Sequence, residues 1–181
     1  MERKYDDIVK KILVDENEII EISKRLGEQI TKDYAGNELV VVGMLKGGMP
    51  FMMELIKHIK LPLVFDFIQA KSYEGTKSTD YVVLKKDVDT DLKGKHVLIV
   101  DDVLDTAQTI TKVLEVLADR GTASIELCCL LDKKEGRKVQ YDAKYIGKEI
   151  PNEFVIGYGL DYNEYYRNLP YVAVVKDEVY K

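Results

Sequence analysis

The sequence predicts an α/β fold in which helices flank a central, mostly parallel and twisted sheet. Segments such as ELVVVGML and KHVLIVDD are apolar at successive positions, which is typical of strands buried on both faces of a parallel sheet. These segments alternate with stretches whose apolar residues recur at helical spacing. No repeat, low-complexity tract or proline-rich linker divides the chain, so we expect residues 1–181 to form a single domain.

The first half of the chain predicts a helix, a strand, a second helix and a second strand. The segment DENEIIEISKRLGEQITKDYAG begins at Asp15 with a pattern that resembles a capping box, and Gly36 follows the helix as its stop. The buried strand ELVVVGML comes next. Pro50 suits the first turn of a short helix that ends near His58. PLVFDFIQA then predicts a strand, and the polar segment KSYEGTKSTDY predicts a loop.

The second half continues the alternation of strands and helices. KHVLIVDD predicts the third strand, and TITKVLEVLADRG predicts a helix that stops at Gly121. SIELCCLLD predicts the fourth strand, and short strand-like segments follow around Tyr145, Val155 and Val174. Open sheets of this kind bind ligands at the carboxyl ends of their strands, which is where the acidic segment of this chain lies.

The composition and net charge argue against a protein that binds nucleic acid or a membrane. With 32 acidic against 27 basic residues the net charge is −5, whereas binding to nucleic acid or to an anionic membrane usually needs a basic surface. The charged segment MERKYDDIVKKILVDENE does not resemble a signal peptide, and the longest apolar runs are too short to cross a bilayer. Cys128 and Cys129 are adjacent in an apolar strand, which favours buried thiols in a reducing compartment. We therefore expect a cytoplasmic protein with no nucleic-acid or membrane partner.

The segment HVLIVDDVLDTAQTI carries the strongest chemical pattern in the chain. Asp101 and Asp102 follow a predicted strand, and Asp105 and Thr106 precede a helix whose first N–H groups and dipole favour an anion. Thr106 and Thr109 add hydroxyl donors. Carboxylates repel phosphate unless a hydroxylated sugar or a hard cation such as Mg²⁺ lies between them, so the pattern predicts a sugar-phosphate site. The alternative is that Asp105 or Thr106 only caps the helix and that the other two aspartates are solvated strand ends.

VLIVDDVLDTAQT resembles the phosphoribosyl-pyrophosphate (PRPP) signature of the type I phosphoribosyltransferases. GMLKGGMPF, FDFIQAKSY, LLDKK and IPNEFVIGYGLDYNEYYRNLPYVAVVK are similar, in order and spacing, to segments of the hypoxanthine-guanine phosphoribosyltransferases. The C-terminal segment is the most discriminating, because it resembles the 6-oxopurine branch in particular. The resemblance implies the type I phosphoribosyltransferase fold, with a small hood formed by terminal segments.

The resemblance also implies a reaction in purine salvage. The 5-phosphoribosyl group of PRPP is transferred to N9 of hypoxanthine or guanine, and the products are IMP or GMP and pyrophosphate. Departure of pyrophosphate leaves an oxocarbenium-like centre at C1 of the sugar. The implied cofactor is Mg²⁺, and the implied assembly is a homodimer or homotetramer.

The resemblance assigns the PRPP-binding residues to the acidic motif. Asp101 and Asp102 face the ribose hydroxyls and Mg²⁺, and Asp105 lies near purine N7 as the catalytic proton partner. The residues implied for the 5′-phosphate and ribose are Asp101, Asp102, Asp105, Thr106, Ala107, Gln108 and Thr109. The family usually has glycine where this chain has Ala107. Alanine costs about 1 kcal/mol there if φ is positive, and nothing if φ is helical.

The resemblance assigns pyrophosphate to the KGG turn, to one arginine and to a lid. The implied residues are Lys46, Gly47 and Arg167, with Ser72 and Tyr73 on a lid loop that excludes water. In this family the peptide bond before the lysine is often cis, so Leu45–Lys46 is a candidate for a non-proline cis bond. Taken alone, the KGG turn is a simple strand-to-helix connection.

The resemblance assigns base recognition to the C-terminal third. Lys133 donates to purine O6, Phe154 stacks on the purine, the Val155 backbone reads the N1/N2 edge, and Asp161 serves a second Mg²⁺. Taken one at a time, Lys133 belongs to the charged run DKKEGRK, Phe154 is a core residue and Asp161 is a turn residue. Their joint order and spacing favour the base site. His58 and His96 lie outside every motif and are expected to be structural or solvated.

Three other functions compete with this one. The first is a related transferase for xanthine, adenine, orotate or uracil. The segment FVIGYGLDYNEYYRNLPY argues against an enzyme that acts on adenine or a pyrimidine. Xanthine remains a candidate substrate because its O6 is recognised in the same way. A PRPP-sensing regulator that binds RNA or DNA needs a basic face or an added DNA-binding segment, whereas this chain is acidic and is expected to be too short for an extra domain. A response-regulator-like domain spreads its aspartates over several strands, which the cluster DDVLDT does not match.

Overall fold

The computed structural model describes residues 7–73 and 81–180, which form two sheets and four α-helices. In chain order the strands are β1 (Val9–Val14), β2 (Leu39–Met44), β3 (Leu63–Tyr73), β4 (Tyr81–Lys86), β5 (His96–Leu104), β6 (Ser124–Asp132), β7 (Tyr145–Glu149), β8 (Val155–Ile156) and β9 (Val172–Val175). The helices are α1 (Glu16–Asp33), α2 (Met49–Leu55), α3 (Gln108–Ala118) and α4 (Asp177–Tyr180).

The central sheet has six strands in the order β4-β3-β2-β5-β6-β7. Every neighbouring pair is parallel except β3 with β4, so the prediction of a mostly parallel sheet is confirmed. The strands β2, β5 and β6 are neighbours, and their carboxyl ends lie at Met44, Leu104 and Asp132. The acidic motif therefore lies at the predicted edge of the sheet.

Helices cover both faces of this sheet because its central strands are apolar at successive positions. All six residues of β2 are buried. Val41 packs in the core that contains α1 and α2, whereas Val40 and Val42 pack in the core that contains α3. Each fully buried side chain of this size contributes about 1.5 kcal/mol or more, which holds the carboxyl edge in one place.

The helix α1 has the predicted start and the predicted apolar face. Its N-cap is Asp15, which accepts a hydrogen bond from the Glu18 amide at 2.9 Å. The predicted capping box is only half formed, because the Glu18 carboxylate pairs instead with Lys148 at 2.6 Å. The apolar stripe is buried as predicted and consists of Ile19, Ile22, Leu26 and Ile30. No helix in the described ranges is long and apolar enough to cross a membrane.

A second, three-stranded sheet forms the hood that the family resemblance implies. Its order is β1-β9-β8, and both pairs are antiparallel, so the N-terminal and C-terminal segments meet. The strand β1 was not predicted, because Lys10 and Lys11 interrupt its apolar residues and both side chains are exposed. Backbone pairing with β9 makes this segment a strand, and such pairing leaves no apolar pattern to detect.

The predicted loop KSYEGTKSTDY is partly strand. The strand β3 extends through Ser72 and Tyr73, and β4 begins at Tyr81 as an antiparallel partner. Residues 74–80, which belong to the predicted lid, lie outside the described residues, as do the side chains of Ser72 and Tyr73. The prediction missed this pair because β4 is an edge strand in which exposed residues alternate with half-buried ones, and an edge strand needs no continuous apolar run.

Candidate active site

The acidic pair lies inside β5 and not after it, which corrects the predicted end of that strand. Asp101 and Asp102 are followed by Val103 and Leu104, which still pair with β6. The Asp102 amide donates to the Asp101 carboxylate at 2.9 Å, and the Val103 amide donates to the Asp102 carboxylate at 2.7 Å. Both carboxylates are therefore fixed by the backbone that carries them.

The surroundings of these two carboxylates disfavour their ionised forms. Burial raises the pKa of Asp101 well above its usual range, and the adjacent Asp102 carboxylate raises it further. Burial also raises the pKa of Asp102. Two like charges in a desolvated position favour a proton or a cation between them. Such a pair suits a cation or a sugar hydroxyl, and its assignment to Mg²⁺ and ribose stays a prediction.

Two glycines bring the pyrophosphate turn and the C-terminal segment against this pair. A Cβ built at Gly47 would overlap the Asp102 carboxylate, and a Cβ built at Gly159 would overlap the Gly47 carbonyl. Gly159 also has a φ of +102°, which favours glycine. The KGG turn, the acidic motif and the GYGLDYN segment therefore converge, as their joint order in the sequence predicted.

The loop after β5 forms a small polar cavity at the start of α3. The N-cap of α3 is Ala107, which has no side-chain oxygen to satisfy the first N–H groups of the helix. The cavity has a volume of about 150 Å³. Its lining includes Asp101, Asp105, Thr106, Ala107 and Thr109. This volume and these donors suit a phosphate group, in agreement with the sequence prediction.

Lys133 is buried, although it belongs to a charged run. Its side chain is 9% exposed and its ammonium lies 3.6 Å from the Asp105 carboxylate, which is 41% exposed. The Lys133 amide donates to the Leu104 carbonyl at 3.0 Å. The surface-residue alternative for Lys133 is therefore wrong, and the structure brings this lysine and Asp105 together.

Arg137 is a residue of this site that the sequence prediction missed. Its Nη1 donates to the Leu104 and Asp105 carbonyls, each at 2.6 Å, and its Nη2 pairs with the buried carboxylate of Asp132. The only sequence signal is an arginine four residues after Lys133, within the run DKKEGRK. Its partners are mostly backbone carbonyls far along the chain, and a sequence pattern carries no record of them.

The two predicted pyrophosphate cations share one carboxylate. Lys46 Nζ lies 2.6 Å from Glu164, and Arg167 Nη2 lies 3.5 Å from the same carboxylate and 2.8 Å from Asp161. Among the described residues, the buried Nε of Arg167 has no hydrogen-bond partner. The Leu45–Lys46 peptide bond is cis, as expected. Lys46 and Arg167 thus already bind an oxyanion, namely the Glu164 carboxylate.

A larger cavity of about 530 Å³ opens beside these two cations. It lies between α2 and the C-terminal segment, and its lining is mostly apolar apart from the two cations. The residues around it include Lys46, Met49, Pro50, Tyr158, Arg167 and Leu169. The cations therefore border open space.

The predicted base-stacking residue is half-buried and packs against aromatic rings. Phe154 stacks on Tyr180 of α4 with ring centroids 4.9 Å apart, and Tyr162 meets it edge-on at 5.8 Å. Val155 lies in β8 and pairs with Val174 of β9. Asp161 accepts hydrogen bonds from Arg167 and from the Glu164 amide within its own loop. Its assignment to a second Mg²⁺ stays a prediction, as does the stacking of Phe154 on a purine.

The two histidines have structural contacts, as expected. His58 Nε2 lies 3.0 Å from Glu54, and His96 Nδ1 lies 2.7 Å from Ser124 Oγ. Among the described residues, no three His, Cys, Asp or Glu side chains form a group that could hold a metal ion without further ligands.

Comparisons with known proteins agree with this geometry. The sequence profile of the family described as "Phosphoribosyl transferase domain" matches residues 10–163. The chain is 51% identical over 173 residues to a hypoxanthine-guanine phosphoribosyltransferase of Streptococcus pneumoniae, covering 95% of this chain and 96% of that protein. It is 52% identical over 181 residues to one of Lactococcus lactis, covering 99% and 98%.

Solved structures show the same similarity. The crystal structure of a hypoxanthine phosphoribosyltransferase from Staphylococcus aureus has a TM-score of 0.95 and 47% identity, and it covers 100% of this chain and 99% of that one. A hypoxanthine-guanine phosphoribosyltransferase from Bacillus anthracis has a TM-score of 0.87 and 40% identity, with 93% and 98% covered. The similarity in fold therefore extends over the whole length that the structure describes.

The backbone at Ala107 generates a prediction about stability. Its φ of 64° lies in the left-handed region, so its Cβ is strained where glycine is not. The change Ala107→Gly should raise the free energy of unfolding by about 1 kcal/mol, measured by urea denaturation. The matched control is Ala118→Gly at the end of α3, which should lower stability by about 0.5–1 kcal/mol. A loss of stability in both variants would contradict the left-handed conformation of Ala107.

Proposed function

The chain belongs to the phosphoribosyltransferase family and to its hypoxanthine-guanine branch, and we propose that the acidic cleft described above carries out the branch's reaction. That reaction transfers the 5-phosphoribosyl group of PRPP to N9 of hypoxanthine or guanine, releasing IMP or GMP and pyrophosphate. The observation that carries the proposal is the convergence of Asp101, Asp102 and the Asp105–Lys133 pair with the KGG turn at one edge of the sheet.

The 5′-phosphate of PRPP binds in the small cavity at the start of α3. The proposal is supported by the start of α3, whose N-cap Ala107 has no side-chain oxygen, and by the hydroxyl-bearing residues Thr106 and Thr109 in the cavity lining. Thr106 Oγ1 accepts a hydrogen bond from the Gln108 amide at 3.4 Å. These backbone and hydroxyl donors stabilise the phosphate dianion without a basic side chain. Gln108, the first residue of α3, contributes its backbone to the same turn.

The ribose and Mg²⁺ bind at Asp101 and Asp102. Two adjacent, half-buried carboxylates with raised pKa values fit a divalent cation, which offsets their repulsion. Mg²⁺ is typically held by one or two carboxylates and completed by water and substrate phosphate oxygens, which agrees with the lack of a three-residue cage in the described ranges. When bound, Mg²⁺ neutralises charge that develops on the pyrophosphate.

The pyrophosphate leaves through the cationic side of the cleft. Lys46, the Gly47 backbone and Arg167 take up its charge, and the partnerless Nε of Arg167 supports an anion there. Glu164 contacts both cations and is displaced when pyrophosphate binds. Ser72 and Tyr73, on the strand that leads into residues 74–80, close over the leaving group and exclude water.

The base is read by Lys133 and by the C-terminal segment. The buried ammonium of Lys133 donates to O6 of a 6-oxopurine, whereas adenine presents an amino group there and leaves two donors facing each other. Phe154 stacks on the ring, the Val155 backbone contacts the N1/N2 edge, and Asp161 serves a second Mg²⁺ near the guanine amino group.

Asp105 holds the proton that the purine exchanges during transfer. Its half-exposed carboxylate, which lies 3.6 Å from the Lys133 ammonium, accepts the N7 proton. Lys133 therefore has two roles, since it donates to O6 and pairs with the Asp105 carboxylate.

We also propose that the chain works in the cytoplasm as a homodimer or homotetramer. Cys128 and Cys129 are both free and buried, which agrees with a reducing compartment. The assembly follows from the family resemblance.

The experiment that tests the function is an assay of pyrophosphate release. PRPP and Mg²⁺ are supplied with hypoxanthine, guanine, xanthine, adenine, uracil and orotate in parallel reactions. We expect turnover with hypoxanthine and guanine, loss of turnover when the metal is chelated, and none with adenine, uracil or orotate. Turnover with none of the bases, together with retained PRPP binding, would contradict the proposal and favour a PRPP sensor.

The role of Asp105 predicts a separation of turnover from binding. Asp105→Asn keeps the size of the side chain but cannot take the N7 proton, so kcat should fall about 100-fold or more. The dissociation constant for PRPP, measured by calorimetry, should stay within about threefold, which is less than about 0.7 kcal/mol. Asp142→Asn, an exposed change at a residue that is assigned no role here, is the control and should leave both values unchanged. Equal losses in turnover and PRPP binding would mean that Asp105 only shapes the loop.

A further inference from the structure

We propose that Arg137 is a positioning residue that fixes Asp105 opposite Lys133. The inference rests on the proposed function, because it concerns the groups that recognise O6 and N7 of the purine. Among the described hydrogen bonds of the Arg137 guanidinium, none goes to a side chain that is assigned above to PRPP or to the base. It acts through the backbone that carries them.

The guanidinium of Arg137 binds two consecutive carbonyls at the carboxyl end of β5. Nη1 lies 2.6 Å from the Leu104 oxygen and 2.6 Å from the Asp105 oxygen, and 3.5 Å from the Lys133 oxygen. Charged donors make stronger hydrogen bonds than neutral ones, so these contacts restrict the peptide plane from which the Asp105 side chain projects.

The rest of the guanidinium is anchored in a fixed direction. Nη2 pairs with Asp132, which is only 3% exposed, and Nε donates to the Tyr141 carbonyl at 3.1 Å. A planar fork reaches these acceptors together, whereas a lysine ammonium is a single point of charge. Arginine is therefore required by the geometry and not only by the positive charge.

Backbone donors near Arg137 hold the next carbonyl as well. The Lys138 and Val139 amides both donate to the Thr106 oxygen at 3.1 Å, and the Lys133 amide donates to the Leu104 oxygen at 3.0 Å. Three consecutive carbonyls of β5 and its loop are thus bound by residues 133–139. We call this segment the bracket.

The bracket also lies directly against the catalytic carboxylate. A Cβ built at Gly136 would overlap the Asp105 carboxylate, so this position accepts only glycine at the present separation. Lys133 begins the bracket and Arg137 lies within it. One segment therefore sets the distance between the donor to O6 and the acceptor from N7, which lie on the same edge of a 6-oxopurine.

A buried ion pair is weak evidence for stability, because desolvation offsets much of the attraction between the charges. The Arg137–Asp132 pair therefore needs another reason, and positioning of Asp105 supplies one. Displacement of a reacting group by about 1 Å can lower turnover by about 100-fold.

The chain contains a matched control for this contact. Arg25 on α1 donates through Nη2 to two consecutive carbonyls of β7, Ile146 at 3.3 Å and Gly147 at 2.7 Å. This arginine lies on an exposed part of the helix and contacts no residue assigned to the site. A change at Arg25 removes the same kind of contact without disturbing the bracket.

The first experiment compares Arg137→Lys with Arg25→Lys in the pyrophosphate-release assay, with hypoxanthine as the base. Arg137→Lys should lower kcat about 10- to 100-fold while the KM for PRPP rises much less, and Arg25→Lys should leave both values near those of the wild type. Equal kcat values for Arg137→Lys and the wild type would overturn the inference. So would a loss of kcat matched by an equal fraction of unfolded protein.

A second variant separates positioning from folding. Arg137→Met combined with Asp132→Asn removes both charges of the buried pair and leaves no uncompensated ion. This double variant should melt closer to the wild type than Arg137→Met alone does, yet its kcat should stay low. Recovery of kcat together with the melting temperature would show that Arg137 is only structural and would overturn the inference.

Hydrogen exchange tests the bracket without any assay of turnover. Arg137→Lys should speed exchange at the Lys133, Lys138 and Val139 amides, and Arg25→Lys should not. Unchanged exchange at all three amides would overturn the inference even in an active enzyme. Faster exchange in a chain whose wild type turns over no base would uphold the bracket and overturn the proposed function.

Discussion

Two carboxylates held side by side in a partly buried position are the constraint on which the rest of the site depends. Asp101 and Asp102 lie within a strand of the central sheet, and desolvation raises the pKa of both. A fold that only needed a core would place valine or leucine there. Parallel neighbours on both sides fix β5 and so hold this unfavourable pair in place, and under the proposed function a cation and a sugar offset its cost.

The elements around this pair are shaped by the need to approach it closely. Gly47 lets the turn after β2 touch Asp102, and Gly159 lets the C-terminal segment touch that turn. On the other side, Arg137 holds the backbone that leads from the acidic pair to Asp105. The paired carboxylates thus lie against the KGG turn on one side and lead, through β5, to the cavity at the start of α3.

The features that could be predicted from sequence are those encoded by local patterns. The α1 start at Asp15, its apolar stripe and the continuous strands β2, β5 and β6 follow from periodicity and capping. The clustering of the acidic motif with the KGG turn followed from family resemblance. The features that were not predicted depend on backbone groups that lie far apart in the sequence. The strands β1 and β4 form by pairing at sheet edges, and Arg137 binds carbonyls 32 and 33 positions away.

The most direct test of this account is the stability of a variant that carries both Asp101→Asn and Asp102→Asn. Raised pKa values in the folded state mean that ionised carboxylates destabilise it, so urea denaturation at neutral pH should show the variant to be more stable than the wild type. The difference should shrink as the pH falls and the wild-type pair takes up protons, and PRPP with Mg²⁺ should stabilise only the wild type. A variant less stable than the wild type at neutral pH would contradict the account, because the pair would then support the fold and not the ligand.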